Sequence, residues 1–201
     1  ATIYGKSARD TGSDLWEAIQ EGLVVTAQTE FRFLHDRVQQ AAYSLIAPEA
    51  LGRLHRQIGR QLWHHASPAE LEDRIFDITG HLNAALGLLD DPDARFQLSL
   101  LNLQAGRKAK ASTAYEPALR HFQAAADLLT ADAWTAHYRH TLDTYRARAD
   151  AAYLLGQFAA AEADIDEALA HAADRYDQAE IYLQKIIQYN QLGKYNELVE
   201  V

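Results

Sequence analysis

The chain has neither cysteine nor methionine among its 201 residues. Without cysteine there are no disulfides, no thiolate-ligated zinc and no thiol nucleophile, which fits a reducing compartment. Long basic runs are missing too: 19 Lys and Arg face 28 Asp and Glu, for a formal net charge of -9. Non-specific nucleic-acid binding needs clustered cations on phosphates, so no nucleic-acid partner is expected. No apolar run reaches the ~18 residues of a membrane-spanning helix. No signal-peptide pattern opens the chain, so no membrane contact and a cytoplasmic location are expected. The chain starts at Ala1 without an initiator Met, which reads as a piece of something longer. What is present is 48% apolar and 23% charged residues, enough for a real core in one large or two small domains.

The four prolines punctuate this composition. Ala47-Pro48, Ser67-Pro68, Asp91-Pro92 and Glu116-Pro117 each precede a helix-like segment, where a missing N–H costs nothing. Ser67 and Glu70 form a capping box by spacing. Gly22, Gly87, Gly156 and Gly193 stand where apolar periodicity stops, as C-terminal caps. The resulting reading is a helix over 12–21, strands over 23–26 and 31–34 joined by Ala27 to Glu30, and a helix over 36–46. Helices then follow over 48–65, 68–87, 92–114, 117–129, 132–155, 157–172, 175–192 and from 194 onward. The expected class is mainly α. A helix–hairpin–helix order over residues 1–66 suggests a winged-helix-like module, and residues 67–201 read as a run of helical pairs.

These pairs repeat. Ala114-Tyr115-Glu116-Pro117-Ala118 is echoed by Gly156-Gln157-Phe158-Ala159-Ala160-Ala161 and by Gly193-Lys194-Tyr195-Asn196-Glu197-Leu198. Ala118/Ala125 and Ala161/Ala168 repeat a small residue seven positions on. An aromatic plug between two helices and an alanine face that admits a neighbour explain the pattern. It resembles the tetratricopeptide (TPR) turn signature G-x-[FY]-x-x-A, which implies a superhelix of helical hairpins packed through Tyr115, Ala118, Gly156, Phe158, Ala161, Gly193 and Tyr195. The third copy carries Leu198 for Ala, and the first lacks its Gly.

Catalytic signatures are few. Gly5-Lys6-Ser7 is the tail of a phosphate loop, without the upstream Gly and strand such a loop needs. His137 and His140 lie three apart, but no H-E-x-x-H motif occurs, and a solvated helix face is expected there. Glu162, Asp164, Asp166 and Glu167 likewise read as a solvated face. Arg107, Lys108 and Lys110 read as cations facing water, or as a local anion patch. No nucleophile elbow is found. No catalytic residue, metal ligand or cofactor is therefore expected in this chain.

The stretch Phe31 to Ile46, FRFLHDRVQQAAYSLI, sets His35 and Asp36 between a strand and a helix. Asp36 reads as an N-cap with Gln39 reciprocating. His35 either only caps or packs, or sits at the positive end of a helix dipole where an anion is welcome.

This stretch, with LHRQIGR from Leu54, IFDITGHLN from Ile75 and LNLQAGRKAKASTAY from Leu101, resembles one family along nearly the whole chain. It is similar to the segment downstream of the AAA-type, signal-transduction ATPase core in large bacterial hybrid sensor histidine kinases, two-component proteins that often also carry a serine/threonine kinase-like domain. Phe33-Leu34-His35-Asp36-Arg37-Val38 is also similar to the Met-His-Asp motif of signal-transduction ATPases, with Leu34 in place of Met. The resemblance implies that His35 senses the phosphate of ATP or ADP bound elsewhere in the parent and that Asp36 is its structural partner. It implies a non-catalytic segment that binds protein, within the parent or on a separate partner. The alternative is part of an ATPase-type transcriptional regulator, its helix from Asp36 offering Arg37, Gln39 and Gln40 to DNA. A free-standing enzyme has no motif in its favour. Oligomeric state is not legible.

Overall fold

A computed structural model describes residues 8–27 and 30–192. It is mainly helical, with one two-stranded sheet among the described residues. The chain divides into two compact units after Leu88.

The first unit opens with α1 (Ala8–Asp14) and α2 (Trp16–Gln20), where the sequence suggested one helix over 12–21. Gly22 ends α2 at φ +68, the left-handed region a glycine enters without a Cβ clash. The N–H of Leu23 then reaches the Ala18 carbonyl at 2.8 Å. Strands β1 (Val24–Ala27) and β2 (Glu30–Phe33) pair antiparallel, with Val24 opposite Phe33 and Thr26 opposite Phe31. Helix α3 (Asp36–Ser44) follows directly. Next come α4 (Pro48–His65) and α5 (Pro68–Asn83), each with proline at its start. The capping box forms: the Ser67 N–H donates to Glu70 at 2.9 Å, and the Glu70 N–H to Ser67 Oγ at 3.4 Å. The α5 stripe Ile75, Ile78 and Leu82 is buried. Where α4 crosses α5, a Cβ on Gly59 would lie 2.7 Å from Leu82 Cδ2, so only glycine permits the approach. Gly87 does not cap a long helix. It lies in a 3-10 turn, Leu86–Leu88, because α5 has already ended at Asn83. The division after Leu88 keeps α5 with α4, whereas the sequence reading begins the repeats at 67.

The second unit holds α6 (Pro92–Ala111), α7 (Tyr115–Asp127), α8 (Ala133–Ala136), α9 (Tyr138–Leu154), α10 (Phe158–Ala170) and α11 (Arg175–Leu192). The single helix expected over 132–155 is broken at His137, whose backbone leaves the helical region at φ -135. Thr141 Oγ1 lies 3.1 Å from both the Ala133 and the His137 carbonyls across the break.

Helices α6 and α7 pack as one pair, α9 and α10 as the next, offset by 43 residues. The pairs turn alike. Gly156 at φ +74 lets Gln157 N–H reach Ala152 O at 2.9 Å, and Thr113 at φ +59 lets Ala114 N–H reach Ala109 O at 3.0 Å. The copy without glycine therefore makes the same left-handed turn with a β-branched residue. Inside the pairs, Phe122 and Ile165 are equivalent and fully buried, as are Ala118 and Ala161, Ala125 and Ala168. Facing them, Gly106 in the first pair is matched by Ala149 in the second.

Candidate interaction groove

Helices α6, α9 and α11 border an open groove of about 570 Å³ in the second unit. One side is built from cross-helix ion pairs. Arg107 meets Asp143 at 2.9 Å, and Lys110 meets Asp150. Arg146 pairs with Glu180, and Gln184 donates to the Arg146 carbonyl at 2.9 Å. Arg107 and Lys110 thus pair with α9 carboxylates while Arg107 stays exposed and Lys110 partly so, because neighbouring helices bring opposite charges into register. The other side is apolar: Tyr153, Leu154, Leu183 and Ile187. Leu154 is 41% exposed, Leu183 58% and Ile187 50%, unusually open for side chains that gain from burial. Tyr153 Oη donates to the Gln188 carbonyl at 3.1 Å and fixes α11 on α9. Gln188 Nε2, also on the groove, is buried and has no hydrogen-bond partner among the described residues.

Several other polar side chains of this unit tie its helices together. Phe96 stacks on His137 with ring centroids 3.6 Å apart and meets His140 edge-on at 5.3 Å. Ser99 Oγ donates its one proton to the Ala125 carbonyl at 2.7 Å, so it accepts from His140 Nε2 at 2.7 Å. His140 therefore carries a proton on Nε2, and burial pushes its pKa down to about 4. The expected solvated face is instead a clamp joining α6, α7 and α9. Asp164 is buried as well. It takes a two-pronged contact from Arg148, with Nε to Oδ2 at 2.7 Å. Glu162 accepts from Tyr189 Oη, so the acidic stretch of α10 is not simply solvated.

The structure places the other sequence-selected residues as follows. His35 occupies the N-cap position of α3 in an extended conformation, and its side chain makes no capping hydrogen bond. Asp36 is the first helical residue, not the N-cap, because the helix already starts there. Both are exposed. Tyr115 is half-buried beside buried Ala118, and Ala161 is buried on α10. Phe158 is 41% exposed and lies against Tyr153 at 5.6 Å, so it does not plug the pair's interior; Ile165 does. Gly193, Tyr195, the helix from 194 and the Gly5-Lys6-Ser7 loop lie outside the described residues. Among the described residues no group of three His, Asp or Glu could hold a metal, and no helix is long and apolar enough to cross a membrane. Leu183 and Ile187, four apart on α11, were missed because such spacing in sequence looks like core.

This chain is similar to part of a signalling kinase. The relative is the hybrid signal transduction histidine kinase G of Dictyostelium discoideum, 26% identical over 195 residues. The match covers 85% of this chain but 6% of the relative's length. No protein-family profile matches the chain, and no solved structure matches it. The expected bacterial parent gains no support from this relative, which is not bacterial.

Proposed function

We propose that the chain is a non-catalytic regulatory and protein-binding segment of a signal-transduction kinase, coupling an ATPase core to a partner or to other domains of the same protein. The apolar side of the groove, with Leu183 and Ile187 open to solvent, carries this reading. The similarity to a hybrid histidine kinase supports its setting. Residues 67–201 act as a TPR-like stack whose first-helix faces receive the partner. Residues 1–66 act as a winged-helix-like lid on the ATPase core. Exposed Trp16, Phe33, Leu34 and Leu45 on that segment support a covered face in the parent. His35 and Asp36, both exposed, face the nucleotide's phosphate there, and ATP or ADP belongs to the parent rather than to this chain. Closing and opening of the lid shifts the parent between states.

The test is to assay the purified chain for ATP hydrolysis and for association with the ATPase and kinase portions of the parent. Association without turnover, lost on Leu183→Asp with Ile187→Asp, supports the reading. Turnover by the chain alone overturns it.

A further inference from the structure

Helix α4 carries three arginines, Arg53, Arg56 and Arg60, followed by His64. At 3.6 residues per turn these fall within roughly a quarter of the helix circumference, spaced about 4.5 to 6 Å along the axis. The opposite face holds Leu51, Leu54, Ile58 and Leu62, each at least half-buried. The three arginines are exposed, and among the described residues none of them has a hydrogen bond, ion pair or ring partner. No Asp or Glu occurs between Glu49 and Glu70, so the row has no carboxylate on its own helix beyond the first turn. This contrasts with the second unit, where Arg107, Arg139, Arg146 and Arg148 are all paired. A shallow furrow of about 390 Å³ runs along the row between Arg53, Arg56, Arg60 and His64. Gln57 and Gln61 form its flank, and its walls are mostly aliphatic stem.

We infer that this face of α4 is a docking surface for an acidic amphipathic helix of a protein partner. An α-helix with Asp or Glu at positions i, i+3, i+7 and i+11 reproduces the axial spacing of the row, so each guanidinium meets one carboxylate. The carbon walls between the charges accept that helix's apolar residues, which a phosphate backbone lacks. The chain's net charge of -9 also opposes a polyphosphate at long range, whereas a short acidic helix needs only local complementarity. This surface is separate from the groove of the second unit and does not depend on the function proposed for it.

The experiment uses the whole chain and a fluorescent helical peptide with Glu at i, i+3, i+7 and i+11 and Leu between. Fluorescence anisotropy is read at low and physiological salt, against a mixed-sequence DNA duplex of similar length. The peptide is expected to bind, to weaken with salt, and to weaken about tenfold on Arg56→Gln with Arg60→Gln, the loss of two charge pairs. Arg120→Gln with Arg175→Gln removes the same charge from the second unit and leaves binding intact. Arg56→Glu with Arg60→Glu is expected to accept a Lys version of the peptide, which shows a folded surface with reversed preference. Absent peptide binding, equal weakening by the two double variants, or tighter binding of the duplex than of the peptide overturns the assignment.

Discussion

A Cβ on Gly106 would stand 2.4 Å from Phe122 Cε1, inside any tolerable contact. Phe122 is fully buried, so its ring cannot swing clear. Gly106→Ala would gain up to about 1 kcal/mol of helix propensity, yet overpacking of this kind costs about 1–3 kcal/mol. The variant is therefore expected to be less stable in urea denaturation. Combining it with Phe122→Ile copies the Ala149 and Ile165 arrangement of the next pair and should recover much of the loss. Equal stability of Gly106→Ala and the parent chain would mean that the pair is looser than described.

Thr113 holds the left-handed turn that Gly156 makes in the second pair, and its hydroxyl donates to the Ser112 carbonyl at 2.7 Å. A β-branched residue in that region is strained by roughly 1–2 kcal/mol. Thr113→Gly is expected to raise the denaturation midpoint by about 1 kcal/mol equivalent. The reciprocal Gly156→Thr should lower it, and a double variant should lie near the parent.

Much of this was legible in the sequence, and the failures share a cause. Proline starts at Pro48, Pro68 and Pro92, the Ser67–Glu70 box, and the caps at Gly22 and Gly156 are local rules, and the structure follows them. The hairpin order from Val24 to Asp36 is local too. Whether a polar residue faces water depends on the neighbouring helix, which no local pattern names. Hence His140 and Asp164 read as solvated, yet are held by Ser99 and Arg148, while Arg107 and Lys110 keep solvent contact and also pair with Asp143 and Asp150. The open Leu183 and Ile187 mislead in the other direction, since apolar spacing promises burial.

The Arg148–Asp164 pair is bidentate, with Asp164 buried and Arg148 largely covered. Leaving one member alone strands a charge away from water, at a cost of about 3–5 kcal/mol. Asp164→Ala is expected to destabilise the second unit by that order, while Arg148→Met with Asp164→Leu recovers most of it. Asp143→Ala, on the partly exposed Arg107 pair, should change stability by about 1 kcal/mol or less. Chemical denaturation of the three variants checks the ranking.

Acid should loosen both units before the carboxylates titrate. Burial lowers the pKa of His140 to about 4, with Arg107 and His137 pushing the same way and Asp143 opposing. Burial, then Arg120, lowers His121, which donates to Asn102 Oδ1 at 3.0 Å. In the first unit, burial and then His55 lower His81, and the two Nδ1 atoms lie 2.8 Å apart sharing one proton. A histidine held below its ordinary 6.5 binds its proton more readily unfolded, so its share of stability is present above 6.5 and lost on acidification. Urea midpoints should be flat above pH 7 and fall between pH 6.5 and 4. His140→Gln should shallow that slope in the second unit; an unchanged slope would remove His140 from the explanation.

The most direct measurement is hydrogen–deuterium exchange on the chain, alone and with the ATPase and kinase portions of the parent protein. New protection at Tyr153, Leu154 and the α11 turn from Leu183 to Ile187, lost in Leu183→Asp with Ile187→Asp, is the expected result. Binding that leaves those residues as exposed as before, or ATP turnover by the chain alone, would contradict it.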